Sequence, residues 1–288
     1  MNLSGKTAIV TGSNTGIGYE TALDLYKKGA KVYVACRNQE KAIKAIQKME
    51  ADGGTGELVY EHLDLASLRS VKAFADNVIQ AESSLDLLIN NAGIMIPPQS
   101  TTEDGFEIQF GVNFVGHFAL TGHLFNLLES TTGSRVVTLS SIAHRGAAID
   151  FDNFRLEKEY SNWREYGQSK LADIIFALEF DKRLKSNGSQ IKSLAAHPGF
   201  SKTDLQVHMD KDMLASLDLM TAKEGAQPTL AACLREDAKG GQYWGPDGHN
   251  EQKGKPALAK IDAAALDETL SAKLWDWAKE TTKVNFPF

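Results

Sequence analysis

Short runs of apolar residues alternate along the chain with longer stretches whose apolar positions recur at helical spacing. That is the pattern of parallel strands covered on both faces by crossover helices. Seven runs read as strands: 7–11 (TAIVT), 31–36 (KVYVAC), 58–63 (LVYEHL), 85–90 (LDLLIN), 135–140 (RVVTLS), 191–196 (IKSLAA) and 241–244 (GQYW). Helices are expected near 17–28, 67–80, 105–129, 163–185, 221–234 and 263–281. In the first of these, Ile17, Ala22, Leu23, Leu25 and Tyr26 fall mostly at helical spacing, and Gly29 supplies a stop signal. Segment 142–162 breaks the rhythm and reads as a loop, with Phe151, Phe154 and Tyr160 among charges and Trp163 just beyond it. The fold class expected is α/β, a doubly wound parallel seven-stranded sheet with helices on both faces.

Composition narrows the possibilities. A chain of 288 residues, 42% hydrophobic and 24% charged, has enough apolar material for the core of one large domain. The net charge of -6 and dispersed basic residues give no phosphate-backbone footprint, so no nucleic-acid partner is expected. Cys36 and Cys233 are too few and too far apart for a disulfide framework or a cysteine-rich metal site. Reduced thiols, a cytoplasmic location and no metal are therefore expected. Met1 to Lys6 run straight into the first strand without a leader, and no apolar stretch reaches the length of a membrane span.

Thr11-Gly12-Ser13-Asn14-Thr15-Gly16-Ile17-Gly18 sits where the first strand hands over to the first helix. There Gly12 can take a sharp turn, Gly16 lets the backbone approach a phosphate, and Gly18 lets helix and strand pack closely. Unpaired N–H groups and the positive end of the helix dipole would then face a pyrophosphate. A structural turn also selects glycine, but the strand before and the helix after favour a dinucleotide. The residue that chooses between NAD and NADP belongs about 20 positions further on. Cys36 and Arg37 stand there, with no carboxylate. The Arg37 guanidinium suits a 2′-phosphate, which points to NADP(H) over NAD(H); a solvated surface arginine is the alternative. Asp64, after the third strand, has two readings: an acceptor for the adenine amino group, or the cap of the helix beginning near Ser67.

Asn90-Asn91-Ala92-Gly93 ends the fourth strand, at the sheet edge where ligands bind, although such a tetrad also makes an ordinary turn. Ser140-Ser141 ends the fifth strand, and Tyr166 and Lys170 stand at i,i+4 on the next helix, one face carrying phenol and ammonium. A nearby cation favours the phenolate and lowers the phenol toward working pH, making Tyr166 a general acid/base.

TGSNTGIG (11–18), NNAG (90–93), Ser141, YGQSK (166–170) and HPG (197–199) follow one another in an order that resembles the short-chain dehydrogenase/reductase family over residues 4–250. The resemblance implies a single-domain Rossmann fold over 1–288, with a substrate lid near 200–220 and a helical extension over 255–288. Gly12, Ser13, Asn14, Thr15, Gly16, Ile17, Gly18, Arg37, Asp64, Leu65, Asn91, Ala92, Gly93, Pro198, Gly199 and Thr203 would then bind the cofactor. Tyr166 would exchange the substrate proton and Ser141, rather than Ser140, would hold the reacting oxygen. Lys170 would bind the ribose and depress the phenol, and Asn113 would hold a relay water. His197, His117 and His144 are read as structural. The 25 positions between Ser141 and Tyr166, with VNFVGHFALT (112–121), SSIAHRG (140–146) and LADIIFALEF (171–180), resemble the retinol dehydrogenase-like and protochlorophyllide reductase-like branch. No hydrophobic N-terminal anchor is expected.

The substrate expected is a small apolar or aromatic carbonyl or alcohol. Ile94, Met95, Ile96, Pro97, Ile142, Phe151, Phe154 and Trp163 would wall the site. Phe200, Leu205, Met209, Met213, Leu214, Leu217, Leu219 and Met220 would form its lid. Two other readings are a catalytically silent nucleotide-binding regulator and a light-dependent reductase of a pigment double bond. A homo-oligomer through helices 105–129 and 163–185 is a further expectation, since both look more apolar than sheet coverage requires.

Overall fold

The computed structural model describes residues 1–210, 212, 214 and 217–288. Strands β1 (Thr7–Thr11), β2 (Lys31–Cys36), β3 (Glu57–His62), β4 (Leu87–Asn90), β5 (Arg135–Leu139), β6 (Lys192–Ala196), β7 (Tyr243–Pro246) and β8 (Pro256–Leu258) form one sheet. Their spatial order is β3-β2-β1-β4-β5-β6-β7-β8. The first seven pair in parallel, and β8 pairs antiparallel to β7 through Trp244 and Leu258. The α/β doubly wound fold expected is the fold found, with eight strands instead of seven. The extra strand is three residues long and begins on a proline, too short to show alternation. The chain winds outward one way from β1 and the other way from β4, which opens a crevice at the carboxyl ends between them.

The covering helices are α1 (Gly16–Lys27), α2 (Gln39–Ala51), α3 (Leu68–Ala81), α4 (Ile108–Phe110), α5 (Gly116–His123), α6 (Phe125–Glu129), α7 (Asn162–Ser186), α8 (Ala222–Gly225), α9 (Gln227–Leu234) and α10 (Glu268–Thr282). Helix α2 was not among those expected. It buries only Ala42, Ala45 and Met49 and starts where Asn38 Oδ1 accepts from Lys41 N at 2.8 Å. The single helix expected over 105–129 is α4, a π turn at Gly111–Val115, α5 and α6. A side chain at Gly116 would place its Cβ 2.7 Å from the Leu65 carbonyl, so this helix lies against the chain leaving β3 only because the residue is glycine.

One side of the sheet is packed mainly by small aliphatic residues, among them Ala22, Leu25, Val137, Leu194 and Ala232. The other side is aromatic: Phe118 lies 5.3 Å from Phe286, Phe180 5.4 Å from Phe286, and Phe118 5.2 Å from Trp275, centroid to centroid. Such pairs add about 0.5–1.5 kcal/mol each beyond area burial. The apolar surplus on 105–129 and 163–185 is thus covered by this chain's own C-terminal helix and tail, which removes the ground for an oligomer face there. Among the described residues no helix is long and apolar enough to cross a membrane.

Candidate active site

A cavity of about 530 Å³ opens at the carboxyl ends of the strands, bounded by the glycine turn, the end of β4, the β5–α7 segment, residues 198–209 and Leu214, Leu217 and Leu219. The turn is built for close approach. A Cβ at Gly12 would stand 2.9 Å from Ala92 Cα, and one at Gly18 would stand 2.4 Å from Asn91 Nδ2 and 2.6 Å from the Gly12 carbonyl. Asn91 Nδ2 donates to the Thr11 carbonyl at 2.7 Å, tying the end of β4 to that of β1. Whereas Asn38 caps α2 and Ser67 caps α3, the Thr15 side chain does not cap α1 and no acid sits in that helix's first turn. Its N-terminal N–H groups, beside a cradle that a Cβ would fill, fit the pyrophosphate of a dinucleotide. Gly12, Asn14, Thr15, Gly16, Ile17 and Gly18 all line the cavity; Ser13 is buried and its hydroxyl donates to the Val10 carbonyl at 2.7 Å.

Arg37 and Asp64 stand side by side after β2 and β3, with Arg37 Nη1 3.9 Å from Asp64 Oδ2. The guanidinium is exposed, so the pair adds little stability and leaves the arginine available. Asp64 does not cap α3: Ser67 Oγ accepts from Ser70 N there, and Asp64 Oδ1 accepts from Ala66 N at 2.9 Å. Leu65 is buried in the core, away from the cavity.

The floor is assembled from three elements. On α7, Lys170 Nζ donates to the Leu139 carbonyl of β5 at 3.0 Å and to Asp173 Oδ2 at 2.8 Å. Two of its three N–H groups are thereby committed, beside Gly93, where a Cβ would lie 3.6 Å from Nζ. Ser140 Oγ donates to the Lys170 carbonyl at 2.7 Å and is buried. Both serines line the cavity, but the Ser141 hydroxyl accepts from Ala143 N at 3.2 Å and acts on the Tyr166 phenol. The geometry separates the two serines.

Burial holds the Tyr166 phenol above its ordinary value against the pull of Lys170 and Ser141. This reverses the direction expected from spacing alone, because the phenol lies 4% exposed in an apolar wall of Met95 and Ile96. Burial also works against the Lys170 ammonium, yet Asp173 and Tyr166 outweigh it and hold that group above the usual lysine value. Burial pushes the Asp173 carboxyl up to about 7 in spite of Lys170 beside it. Asp173 was not singled out by sequence reasoning; an acid at i+3 from the lysine was the available signal.

Asn113 lies on the π turn with both Nδ2 hydrogens committed, to the Ile94 carbonyl at 3.0 Å and Ser169 Oγ at 2.9 Å. Its Oδ1 accepts from Ile94 N at 2.9 Å. Its own carbonyl accepts from His117 Nδ1 at 2.8 Å, so Nε2 is the ring acceptor for the Thr11 hydroxyl at 2.9 Å. Thr11 Oγ1 in turn accepts from Asn91 N and Ala92 N, both at 2.9 Å. Burial pushes His117 down to about 4, so the ring is neutral and structural. His197 is buried against Glu251, which burial alone would raise but which His197, Lys260 N–H and Arg145 hold at about 2.

A family profile described as short chain dehydrogenase matches residues 6–214. The chain belongs to the short chain dehydrogenase family. It is 39% identical to retinol dehydrogenase 14 of Mus musculus over 95% of this chain and 85% of that protein. It is 38% identical to retinol dehydrogenase 13 of Homo sapiens over 95% and 83%. Among solved structures, an uncharacterized protein from Mycobacterium paratuberculosis aligns with a TM-score of 0.84 and 36% identity, covering 100% of this chain and 97% of that one. These similarities place the dehydrogenase in the retinol dehydrogenase-like branch, as an oxidoreductase of a family that binds nicotinamide cofactors.

The rest of this dehydrogenase's cavity is mainly apolar, with Ser201, Asp204 and Gln206 also on its lining. Met95, Ile142 and Trp163 line it, as do Phe200, Leu205, Met209, Leu214, Leu217 and Leu219 opposite. Pro198, Gly199 and Thr203 join the two sides. Three expected wall residues are elsewhere: Phe154 stacks on Phe110 at 4.2 Å, Phe151 packs against Phe154 at 5.4 Å, and the Pro97 carbonyl accepts from Tyr160 Oη. Ile94 and Ile96 do not line the cavity either; Ile96 is buried behind it at φ 45°, a left-handed backbone rarely taken by a β-branched residue, with its N–H on Gln109 Oε1 at 2.8 Å. Met220 is buried outside the cavity, and Met213 lies outside the described residues.

Proposed function

We propose that this chain is an NADP(H)-dependent oxidoreductase that moves a hydride between nicotinamide and the carbonyl or alcohol group of an apolar or aromatic substrate, with Tyr166 as general acid/base. The observation that carries the reading is the meeting of Tyr166, Ser141 and Lys170 in one largely apolar cavity that begins at the glycine turn. The whole of 1–288 is read as one nucleotide-binding unit.

The cofactor, when bound, supplies or accepts the hydride. Gly12 to Gly18 would hold its pyrophosphate, Asn91 to Gly93 its sugar, and Pro198 and Gly199 its carboxamide. Ser141 donates to the reacting oxygen and fixes its position; Tyr166 Oη gives that oxygen a proton in reduction and takes one in oxidation. The remaining N–H of Lys170 would bind the ribose hydroxyls, and the ammonium charge favours the phenolate. Asn113 holds the chain after β4 in place through its two bonds to Ile94. What is left for a relay water is an unused lone pair on its carbonyl or Oδ1.

Arg37 supports NADP(H) over NAD(H): it is exposed beside Asp64 at the adenosine end, and Cys36 cannot accept from a ribose hydroxyl as a carboxylate would. Apolar contact adds roughly 25 cal/mol per Å², and retinol, the substrate in the relatives' names, belongs to the class such a wall favours. Cys36 and Cys233 are unpaired and buried, which supports a reducing, cytoplasmic setting.

The test is oxidation of NADPH and of NADH against a homologous aldehyde series at fixed pH. The expected kcat/KM rises with chain length or aromatic bulk until the cavity is filled. NADPH should bind about one to two decades tighter than NADH, with the difference lost in Arg37→Ala. A flat series, a preference for phosphorylated substrates, or unchanged discrimination in Arg37→Ala would each remove the corresponding part. Tight NADPH binding without turnover on any carbonyl or alcohol would leave a silent nucleotide-binding protein.

A further inference from the structure

Lys170 is buried at 5% exposure and shares its ammonium with a carboxylate that is more deeply buried still, Asp173 at 1%. Asp173 Oδ2 accepts from Nζ at 2.8 Å, and its second oxygen, Oδ1, is buried and accepts no hydrogen bond among the described residues. An acid needed only to keep the lysine in place would have its remaining lone pairs satisfied, because an unpaired buried acceptor is costly. The carboxyl is instead left nearly bare, one helical turn below the ammonium and two below the phenol. Every unit of negative charge on it subtracts from the positive charge that Lys170 presents to Tyr166, and Asp173 does act to raise the phenol.

We infer that Asp173 is a positioning and tuning residue, a buried counter-ion that fixes Lys170 Nζ between its own Oδ2 and the Leu139 carbonyl and whose charge state sets how far Tyr166 is drawn toward phenolate. The inference rests on the reading of Tyr166 and Lys170 given above. Among the described residues, the ionisable groups acting on this pair are Tyr166 on the same helix and neutral His117 across from α5; β5 contributes only the Leu139 carbonyl. With the carboxylate charged, Lys170 is held as ammonium and the phenol is held up. With the carboxyl neutral, the full ammonium charge acts on the phenol. The acid therefore opposes, by way of the lysine, the ionisation that alcohol oxidation requires and helps keep the proton that carbonyl reduction consumes.

The experiment compares the unsubstituted chain with Asp173→Asn, which removes the charge and keeps the shape and one acceptor oxygen. The first readout needs neither cofactor nor turnover: competitive labelling of lysines by acetic anhydride across pH, with Lys170 followed by peptide mass spectrometry. In the unsubstituted chain the Lys170 midpoint should lie above that of exposed lysines, and in Asp173→Asn it should fall by about one pH unit or more. The second readout is the alkaline-going limb of kcat/KM for alcohol oxidation, which should move to lower pH by about one unit in Asp173→Asn, about a tenfold faster rate at a fixed pH on that limb. Identical midpoints and superimposable profiles would overturn the inference. A shifted midpoint in a chain that turns over no substrate would support the counter-ion and reject the enzymatic reading. Should Asp173→Asn not fold, a Lys170 midpoint at or below that of exposed lysines in the unsubstituted chain would overturn the inference and one above it would support it.

Discussion

Tyr166 and Lys170 on the floor of the cavity are 4% and 5% exposed and Asn113, behind it, 1%, and nearly every polar atom of Asn113 and Lys170 is spoken for by a neighbouring group. Opposite them, Leu205, Gln206 and Val207 ride on a five-residue 3-10 helix, Asp204–His208, with no buried side chain at all. That roof is tied down at its base. Thr203 caps the short helix, Gln206 Nε2 donates to the Ser201 carbonyl at 2.6 Å, Phe200 and Lys202 pair with Met220, and Thr15 Oγ1 donates to Asp204 Oδ2 at 2.8 Å. The last of these spans the mouth of the glycine turn, so a dinucleotide entering there meets the roof as well as the cradle. Under the proposed function the difference is a division of labour: proton chemistry would fall on elements buttressed by the core, and the surface that would meet substrates lies where opening costs least.

The largest effect on stability should come from undoing the buttress. Trp275 is 2% exposed, 4.8 Å from Phe286 and 5.2 Å from Phe118, behind the helices that carry the floor. Trp275→Ala should cost about 3–5 kcal/mol and lower Tm by about 10 °C, with NADPH affinity at 25 °C within a few-fold of the parent. A Tm within two or three degrees of the parent, in calorimetry, would say that the C-terminal helix is not what holds the floor.

His117 tests the same region by pH. Its folded value, about 4, lies below the ordinary 6.5, so the unfolded chain takes up a proton that the folded chain refuses. The stability concerned is complete above pH 6.5 and drains away as pH falls toward 4, at about 1.4 kcal/mol per unit, about 3 kcal/mol in all. Urea titrations of His117→Asn should show a shallower loss over that window than the parent. Parallel pH dependences would place the acid sensitivity elsewhere.

On the roof the expected effects are smaller and of another kind. Leu205→Ala should raise KM for a long aldehyde about three- to tenfold, consistent with about 1 kcal/mol of lost apolar contact, and leave Tm within about a degree. A Tm loss comparable to that of Trp275→Ala would mean the roof is core after all.

The contrast also explains what could be read in advance. Strand runs, the glycine turn and the Tyr166–Lys170 pair depend on local periodicity and spacing; the seven strands stand within two residues of where the sequence put them, and the turn and the pair fall at the strand ends expected. Helix α2 was missed because its buried stripe is two alanines and one methionine, which carry little apolar signal. Phe151 and Phe154 were taken for substrate wall because Trp277, 4.4 Å from Phe154, and Lys273, over the Phe151 ring, lie far along the chain, and pairing at that separation leaves no local trace. The upward push on Tyr166 was likewise invisible, since spacing reveals the ammonium beside the phenol and says nothing of the depth at which both are buried.

The most direct test of the floor as the seat of proton transfer is the single-turnover rate of hydride transfer in Tyr166→Phe, measured with NADPH affinity on the same protein. Losing the phenol hydroxyl should slow transfer about 10²–10⁴-fold while NADPH binds within a few-fold of the parent. A rate near that of the parent in a protein that still binds NADPH would contradict the account.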